Sequence, residues 1–315
     1  MDLSLSLPQL GRLGTPNDVA LVAARAEALG FTTGWVLDRL LAPVTPRSPY
    51  PATADGSLPE VYSSCLDPLG TLAFAAAHTT TLGLGTSVLN LPWYRPLELA
   101  RQLSTLDVLS GGRLRIGFGV GWSQDEAAGL GVPFRVRGRL ADEALDALLA
   151  VWAADPVEFH GTGFDIASAR HGPKPAQSPH PPLYFAGYTE RSLQRIARYG
   201  DGWLPAGLPL PVLQGMWRRL RELTEAAGRD PAGQCLIVRA NATVTAHADG
   251  QPFVGTVRQI ADEIVACAEA GAHEVHLDLQ FTPAIRTGRQ YLDTAGEVLD
   301  LVRARLDRSG PVPAA

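Results

Sequence analysis

Asp38 stands at the end of the apolar run "FTTGWVLD" with Arg39 beside it, a carboxylate next to a side chain that keeps its charge at every working pH. A fixed cation there can stabilise negative charge on a bound molecule. The pair can equally be a surface ion pair of small energetic consequence. "LGLGTSVLNLPWYRP", residues 82–96, carries Gly83, Gly85 and Ser87 in an otherwise buried strand pattern before breaking into Asn90, Pro92 and Trp93. A strand glycine marks a bulge or a close approach, so this backbone reads as a surface for something flat; the plainer reading is a strand tapering into a loop. "YFAG" runs into Tyr188-Thr189-Glu190, with Thr189 as a helix cap. Backbone N–H groups and the helix dipole at such a junction suit a phosphate, unless the glycine merely starts the helix. "GFGVGW" has the spacing G-x-G-x-G rather than G-x-G-x-x-G and does not follow the first strand, so it does not match a dinucleotide loop.

Other chemistries have no support. No G-x-S-x-G elbow occurs, and none of Cys65, Cys235 and Cys267 stands near a base in sequence. His160, His171 and His180 lack the helical i, i+4 pairing of a metal site, so no metal is expected. "HEVHLDLQ" places His276, Asp278 and Gln280 on one side of a strand, as a polar interior layer or a polar face against a helix. Arg135, Arg137 and Arg139 cluster, either facing an acidic ligand or solvated and paired with Asp142 and Glu143. A formal charge of −5 argues against nucleic acid, and no run of about 20 apolar residues exists to cross a bilayer. Three cysteines, odd in number and far apart, and an N-terminus without a signal-peptide pattern point to a reducing, cytoplasmic setting.

The elements that must carry these residues alternate. "DLSLSL" reads as a strand, and Thr15-Pro16-Asn17-Asp18 opens a helix that Gly30 stops. "FTTGWVLD" follows, then a Pro-rich loop from Leu41 to Ser63, a helix from Leu66 to His78, the strand at residue 82 and a helix from Pro96 to "SGG". "RLRIGFGVGW" is the fourth strand, residues 138–153 a helix, and "VEFHGTGFDI" a small inserted hairpin. After "LYFAG" come helix 189–199, strand "GWLPAG", helix 211–227, strand "CLIVRANATV", helix 256–270, strand "HEVHLDLQF" and helix 288–306. Eight strand–helix units predict an α/β fold, a (β/α)8 TIM barrel, with a doubly wound open sheet as the alternative. Residues 1–308 then form one barrel domain with insertions at about 39–65 and 154–181, and 309–315 a disordered tail. In a barrel the chemistry belongs at the C-terminal ends of the strands.

"LGLGTSVLNLPWYRPLELARQLSTLDVLSGGRLRIGFGVGW", "DEAAGLGVPFRVRGRLADEALDALLAVW", "PHPPLYFAG" and "GDGWLP" together resemble the bacterial luciferase-like superfamily, especially its branch of coenzyme F-420-dependent oxidoreductases. The resemblance spans most of residues 1–300 and is looser in the long loops. It implies a non-prolyl cis peptide at Ser87–Val88, bulging against the central ring of a deazaflavin, with Asn90 nearby. Gly119 and Gly121 would make room for the ring and Trp122 would wall the pocket. Ala186, Gly187, Tyr188 and Thr189, with Arg191, would hold the coenzyme phosphate. Relatives often carry Asp-His where this chain has Asp38-Arg39, which puts chemistry that leans on the histidine in doubt and leaves Asp38 and Arg39 as the catalytic candidates. The function implied is hydride transfer between coenzyme F-420 and a small organic substrate. An FMN-dependent, oxygen-using monooxygenase and a non-catalytic flavin-binding or partner-subunit homologue are the alternatives. Loop 41–63 and insertion 154–181 would be the lid and specificity walls, with Tyr62, Trp93 and Tyr94 shaping an apolar pocket, and many relatives form homodimers.

Overall fold

The computed structural model describes residues 1–53, 55–248 and 250–309. Eight parallel strands make the frame: β1 (Asp2–Ser6), β2 (Thr33–Val36), β3 (Gly83–Thr86), β4 (Leu114–Gly119), β5 (Leu183–Phe185), β6 (Gly202–Trp203), β7 (Cys235–Asn241) and β8 (Glu274–Asp278). They pair in the order β3–β2–β1–β8–β7–β6–β5–β4, and β3 pairs with β4 to close the ring. The closed ring bears out the barrel and removes the open-sheet alternative. Helices α1 (Pro16–Leu29), α2 (Pro68–Ala76), α3 (Pro96–Ser110), α4 (Arg137–Ala153), α5 (Glu190–Tyr199), α6 (Leu210–Ala226), α7 (Val257–Glu269) and α8 (Gly288–Ser309) follow the strands in turn. The expected tail of residues 309–315 lies outside the described residues, apart from Ser309 at the end of α8. No helix among the described residues is long and apolar enough to cross a membrane.

The helix boundaries follow from local chemistry. Thr15 accepts the Asp18 N–H and Pro16 opens α1, whose end is Gly30 in the left-handed region. Asp67 caps α2 by accepting the Gly70 N–H, so that helix is shorter than its apolar pattern suggested. Outward-facing strand residues and the inner helix faces form one large core, while a separate cluster of Trp35, Tyr184, Leu204 and Ile237 fills the barrel interior. Gly85 and Gly117 serve this packing. A Cβ at Gly85 would overlap the Trp35 ring and one at Gly117 would strike the Thr86 carbonyl, so Gly85 clears space for a core tryptophan and Gly117 for the neighbouring strand.

The β3–β4 pairing contains the irregularity that matters. Gly85 pairs with Arg115, and the short strand Leu89–Asn90 resumes with Leu89 opposite Phe118. Thr86, Ser87 and Val88 therefore lie opposite only Ile116 and Gly117, which is a bulge, and the Ser87–Val88 peptide is cis. The insertion after α4 is an antiparallel hairpin, Val157–His160 with Asp165–Ala169, as expected. Its place corrects its expected role. Glu143 on α4 accepts N–H groups from the hairpin turn at Gly163 and Phe164, and Gln177 bonds Asp107 and the Leu114 carbonyl at the N-terminal end of β4. This segment runs along the outside of α4 to the floor of the barrel and cannot cover its mouth.

Candidate active site at the barrel mouth

Asp38 lies just past β2, with only 8% of its surface exposed. Its Oδ2 accepts the Asn90 N–H at 3.1 Å and the Tyr94 hydroxyl at 3.0 Å. Burial outweighs these two bonds and raises its pKa from 3.8 to about 7, with the Glu126 and Asp67 charges adding to the rise. The chain thus places at the strand ends a carboxyl group that changes protonation near neutral pH. That is the property supplied elsewhere by histidine.

Arg39 does not pair with Asp38. Its Nε lies 3.4 Å from Glu126 Oε1, and its guanidinium lies 4.6 Å from the Trp122 ring centre and 5.3 Å from that of Tyr62. Both partners are buried, so the surface ion pair considered from sequence is replaced by an interior one with Glu126. Glu126 also accepts the Leu40 N–H at 2.9 Å, and burial raises its pKa. Nothing near Arg39 in sequence announced this partner. The spacing of Ser123 and Glu126 signals a helix start, and Ser123 does accept the Glu126 N–H, but the side chain turns toward Arg39 instead.

The long loop contributes aromatic rings. The Tyr50 and Tyr62 hydroxyls are 3.0 Å apart, Tyr50 packs against Trp122 at 5.4 Å, and Tyr62 packs against Phe281 at 5.6 Å. Trp122 is thus part of a ring cluster around Arg39. The glycines act differently from expectation. A Cβ at Gly119 would come within 2.6 Å of Val88 Cγ2, so Gly119 makes room for the bulge, and Gly121 adopts a φ of +75° beside Trp93. Arg137 donates to the Gly121 carbonyl at 2.8 Å and stacks on Phe134. Asp142 takes Arg195 and Glu143 the hairpin, so neither pairs with the Arg135, Arg137 and Arg139 group.

Deeper in the mouth, His276, Asp278 and Gln280 face the interior and not a helix. His276 Nε2 lies 2.6 Å from Ser6 Oγ, and the Gln280 carbonyl oxygen accepts the Gln9 and Leu10 N–H groups. Asp278 holds Arg239 at 2.6 Å, and Arg239 also donates to the Ser87 carbonyl at 3.0 Å. Arg239 was missed from sequence, although a lone charge inside the apolar strand "CLIVRAN" was its signal. Arg239 Nε and Asn241 Oδ1 are buried without hydrogen-bond partners.

At the β5–α5 junction, Thr189 and Ser192 form a reciprocal capping box. The Ala186 N–H is committed to the Phe118 carbonyl and the Thr189 N–H to Ser192 Oγ. Among the described residues, the Gly187 and Tyr188 N–H groups have no such bond. The Tyr188 hydroxyl bridges to Ala206, and Arg191 is exposed on the first turn of α5.

The family model for luciferase-like monooxygenases matches residues 4–250. The chain belongs to that family. As a luciferase-like protein it is an oxidoreductase or monooxygenase. An uncharacterized protein of Mycobacterium tuberculosis (strain ATCC 25618 / H37Rv) is 32% identical over 257 residues, covering 81% of this chain and 85% of that one. The FMNH(2)-dependent dimethylsulfone monooxygenase of Pseudomonas putida is 27% identical over 199 residues, covering 62% of this chain and 52% of that protein. Among solved structures, an F-420-dependent secondary alcohol dehydrogenase in complex with an F-420–acetone adduct superposes with a TM-score of 0.77 at 20% identity, covering 96% of this chain and 100% of that one. The luciferase-like barrel is thus shared with enzymes named for either coenzyme.

Proposed function

We propose that this luciferase-like protein moves a hydride between coenzyme F-420 and a small organic substrate, with Asp38 holding the proton that travels with it. The observation that carries this reading is the Asp38 carboxyl, buried, hydrogen-bonded to Asn90 and Tyr94 and poised at a pKa of about 7. Reduction of a carbonyl to an alcohol needs one hydride and one proton, and the reverse reaction returns both. When bound, the deazaflavin supplies or takes up the hydride at a ring carbon. Protonated Asp38 would give its proton to the substrate oxygen, and ionised Asp38 would take one in the reverse direction. Tyr94 and Asn90 donate to the ionised form and hold its Oδ2 in place.

The residues present suit such a coenzyme. The bulge at Ser87 and Val88 offers a face for a flat ring, and Arg239 Nε and Asn241 Oδ1 lack partners that a polar ring edge has. The Gly187 and Tyr188 N–H groups at the start of α5, with Arg191, would hold the phosphate. Tyr50, Tyr62 and Trp122 would keep water from the reacting atoms, and Arg39, fixed by Glu126, would keep those rings in place.

The relationship to the dimethylsulfone monooxygenase favours a second reading, an FMN-dependent enzyme that uses oxygen. Fluorescence titration of the purified protein with coenzyme F-420 and with FMN, followed by turnover of each reduced coenzyme with and without oxygen, separates the two. Binding of F-420 with oxidation by a carbonyl compound under anaerobic conditions supports hydride transfer. Binding of FMN alone, with turnover only when oxygen is present, overturns it in favour of the monooxygenase.

A further inference from the structure

We infer that Arg239 and Asn241 read the polar edge of the coenzyme ring: the Arg239 Nε–H donates to a ring carbonyl and Asn241 Oδ1 accepts the ring N–H beside it. The inference rests on the reading that a tricyclic ring occupies the barrel mouth. The strand itself sets the two side chains on one face. Leu236, Val238 and Ala240 point outward into the helix-facing core, whereas Ile237 belongs to the interior cluster. Alternation then sends Arg239 and Asn241 into the lumen above Ile237, two residues apart on the same strand.

The guanidinium is not free to choose its partners. One terminal nitrogen donates to Asp278 Oδ2 at 2.6 Å and the other to the Ser87 carbonyl at 3.0 Å. Those two bonds satisfy the ion pair and tie the guanidinium plane to the bulge, yet neither uses Nε. Nε is buried, unpartnered and fixed in direction by those two bonds, and Asn241 Oδ1 is buried and unpartnered. Buried polar atoms in folded proteins are almost always paired. Among the described residues Arg39, Glu126 and His276 also keep unpartnered buried atoms around this mouth, but Arg239 Nε and Asn241 Oδ1 set one donor and one acceptor two residues apart on the same face of one strand. The pyrimidinedione end of a flavin or deazaflavin is an N–H flanked by two carbonyls, which answers one donor and one acceptor. Because Arg239 also holds the Ser87 carbonyl, the same guanidinium would register the ring edge against the bulge that supports its centre.

The test reads binding, not turnover. Lumiflavin and 5-deazalumiflavin are titrated by fluorescence against the wild-type protein, each with and without a methyl group on the N–H nitrogen between the two carbonyls. These probes carry no phosphate and so do not depend on the α5 junction. Methylation is expected to weaken wild-type binding by about tenfold, and to weaken Asn241→Ala by less than about threefold. Arg239→Lys keeps a cation for Asp278 but has no Nε. It is expected to weaken methylated and unmethylated rings by the same factor, with circular dichroism verifying the fold. A ring that binds the wild type equally well with and without the methyl group overturns the inference and leaves the proposed function standing. An equal methylation penalty in wild type and Asn241→Ala overturns it in the same way, as steric exclusion. If no tricyclic ring binds the wild type, the proposed function fails and the inference fails with it.

Discussion

Replacing Asp38 by Asn tests the physical basis of the site without any coenzyme. Burial raises the Asp38 carboxyl from 3.8 to about 7, so the folded protein holds this proton more tightly than the unfolded chain does. Its contribution to stability is therefore complete below the unfolded value and is lost as pH rises through the folded one. At 1.36 kcal/mol per pH unit the whole effect is about 4 kcal/mol, of which roughly 2.7 kcal/mol falls between about pH 5 and about pH 8.5. Asparagine keeps an oxygen that can accept from the Asn90 N–H and the Tyr94 hydroxyl, but it does not ionise. The stability of Asp38→Asn minus that of wild type should accordingly rise by roughly 2.7 kcal/mol over that interval, because every other titration appears in both proteins and cancels. Urea unfolding followed by tryptophan fluorescence at the two pH values gives the difference directly. A difference that stays constant with pH would show that Asp38 is ionised at both ends of the range. Its role as the proton holder would then be refuted. The same variant should lose about 100-fold or more in turnover with a carbonyl substrate, and wild-type reduction should decline above about pH 7 as the donor form disappears.

Three further outcomes follow from other parts of the molecule. Gly85→Ala places a methyl group into the Trp35 ring in the barrel interior and should cost about 1–3 kcal/mol in urea unfolding, with no selective effect on coenzyme affinity. Glu126→Gln leaves the buried Arg39 guanidinium without its counter-charge and should cost about 3 kcal/mol, measured the same way; a change under about 0.5 kcal/mol would mean that Trp122 and Tyr62 alone hold the cation. Arg191→Glu should weaken FMN or coenzyme F-420 by about tenfold while leaving lumiflavin unchanged, and equal weakening of all three ligands would remove Arg191 from the phosphate end.

How much of the site could be read from the chain depends on how far apart its parts lie. Asp38 was legible because the strand-then-acid pattern fixes its place at a barrel rim, and the bulge because the small residues before Ser87 match the family's pattern. Local reading assigned Gly85, and the family resemblance Gly119, to the ligand, whereas Gly85 yields to Trp35 on the neighbouring strand and Gly119 to Val88 on the bulge. In both cases the residue that fills the space is brought there by strand pairing, which no single segment encodes. The same cause hid Arg239 and the Arg39–Glu126 pair.

Pairing also decides which polar groups work together. Asp278 could have faced a helix, and only the closure of β8 against β7 opposes it to Asn241 and brings Arg239 within reach of it. Once that happens, the charge of Arg239 is neutralised by Asp278 while its direction is set by the Ser87 carbonyl. A lysine there could balance the charge but could not hold two partners in one plane and still aim a third donor elsewhere. Asp38 presents the converse case: with no cation bonded to it, its burial is left uncompensated and its proton stays within reach of neutral pH. The barrel mouth thus sets Asp38, an acid without a bonded cation, against Arg239, a cation held by two partners. A proton step and a fixed ring edge require that division.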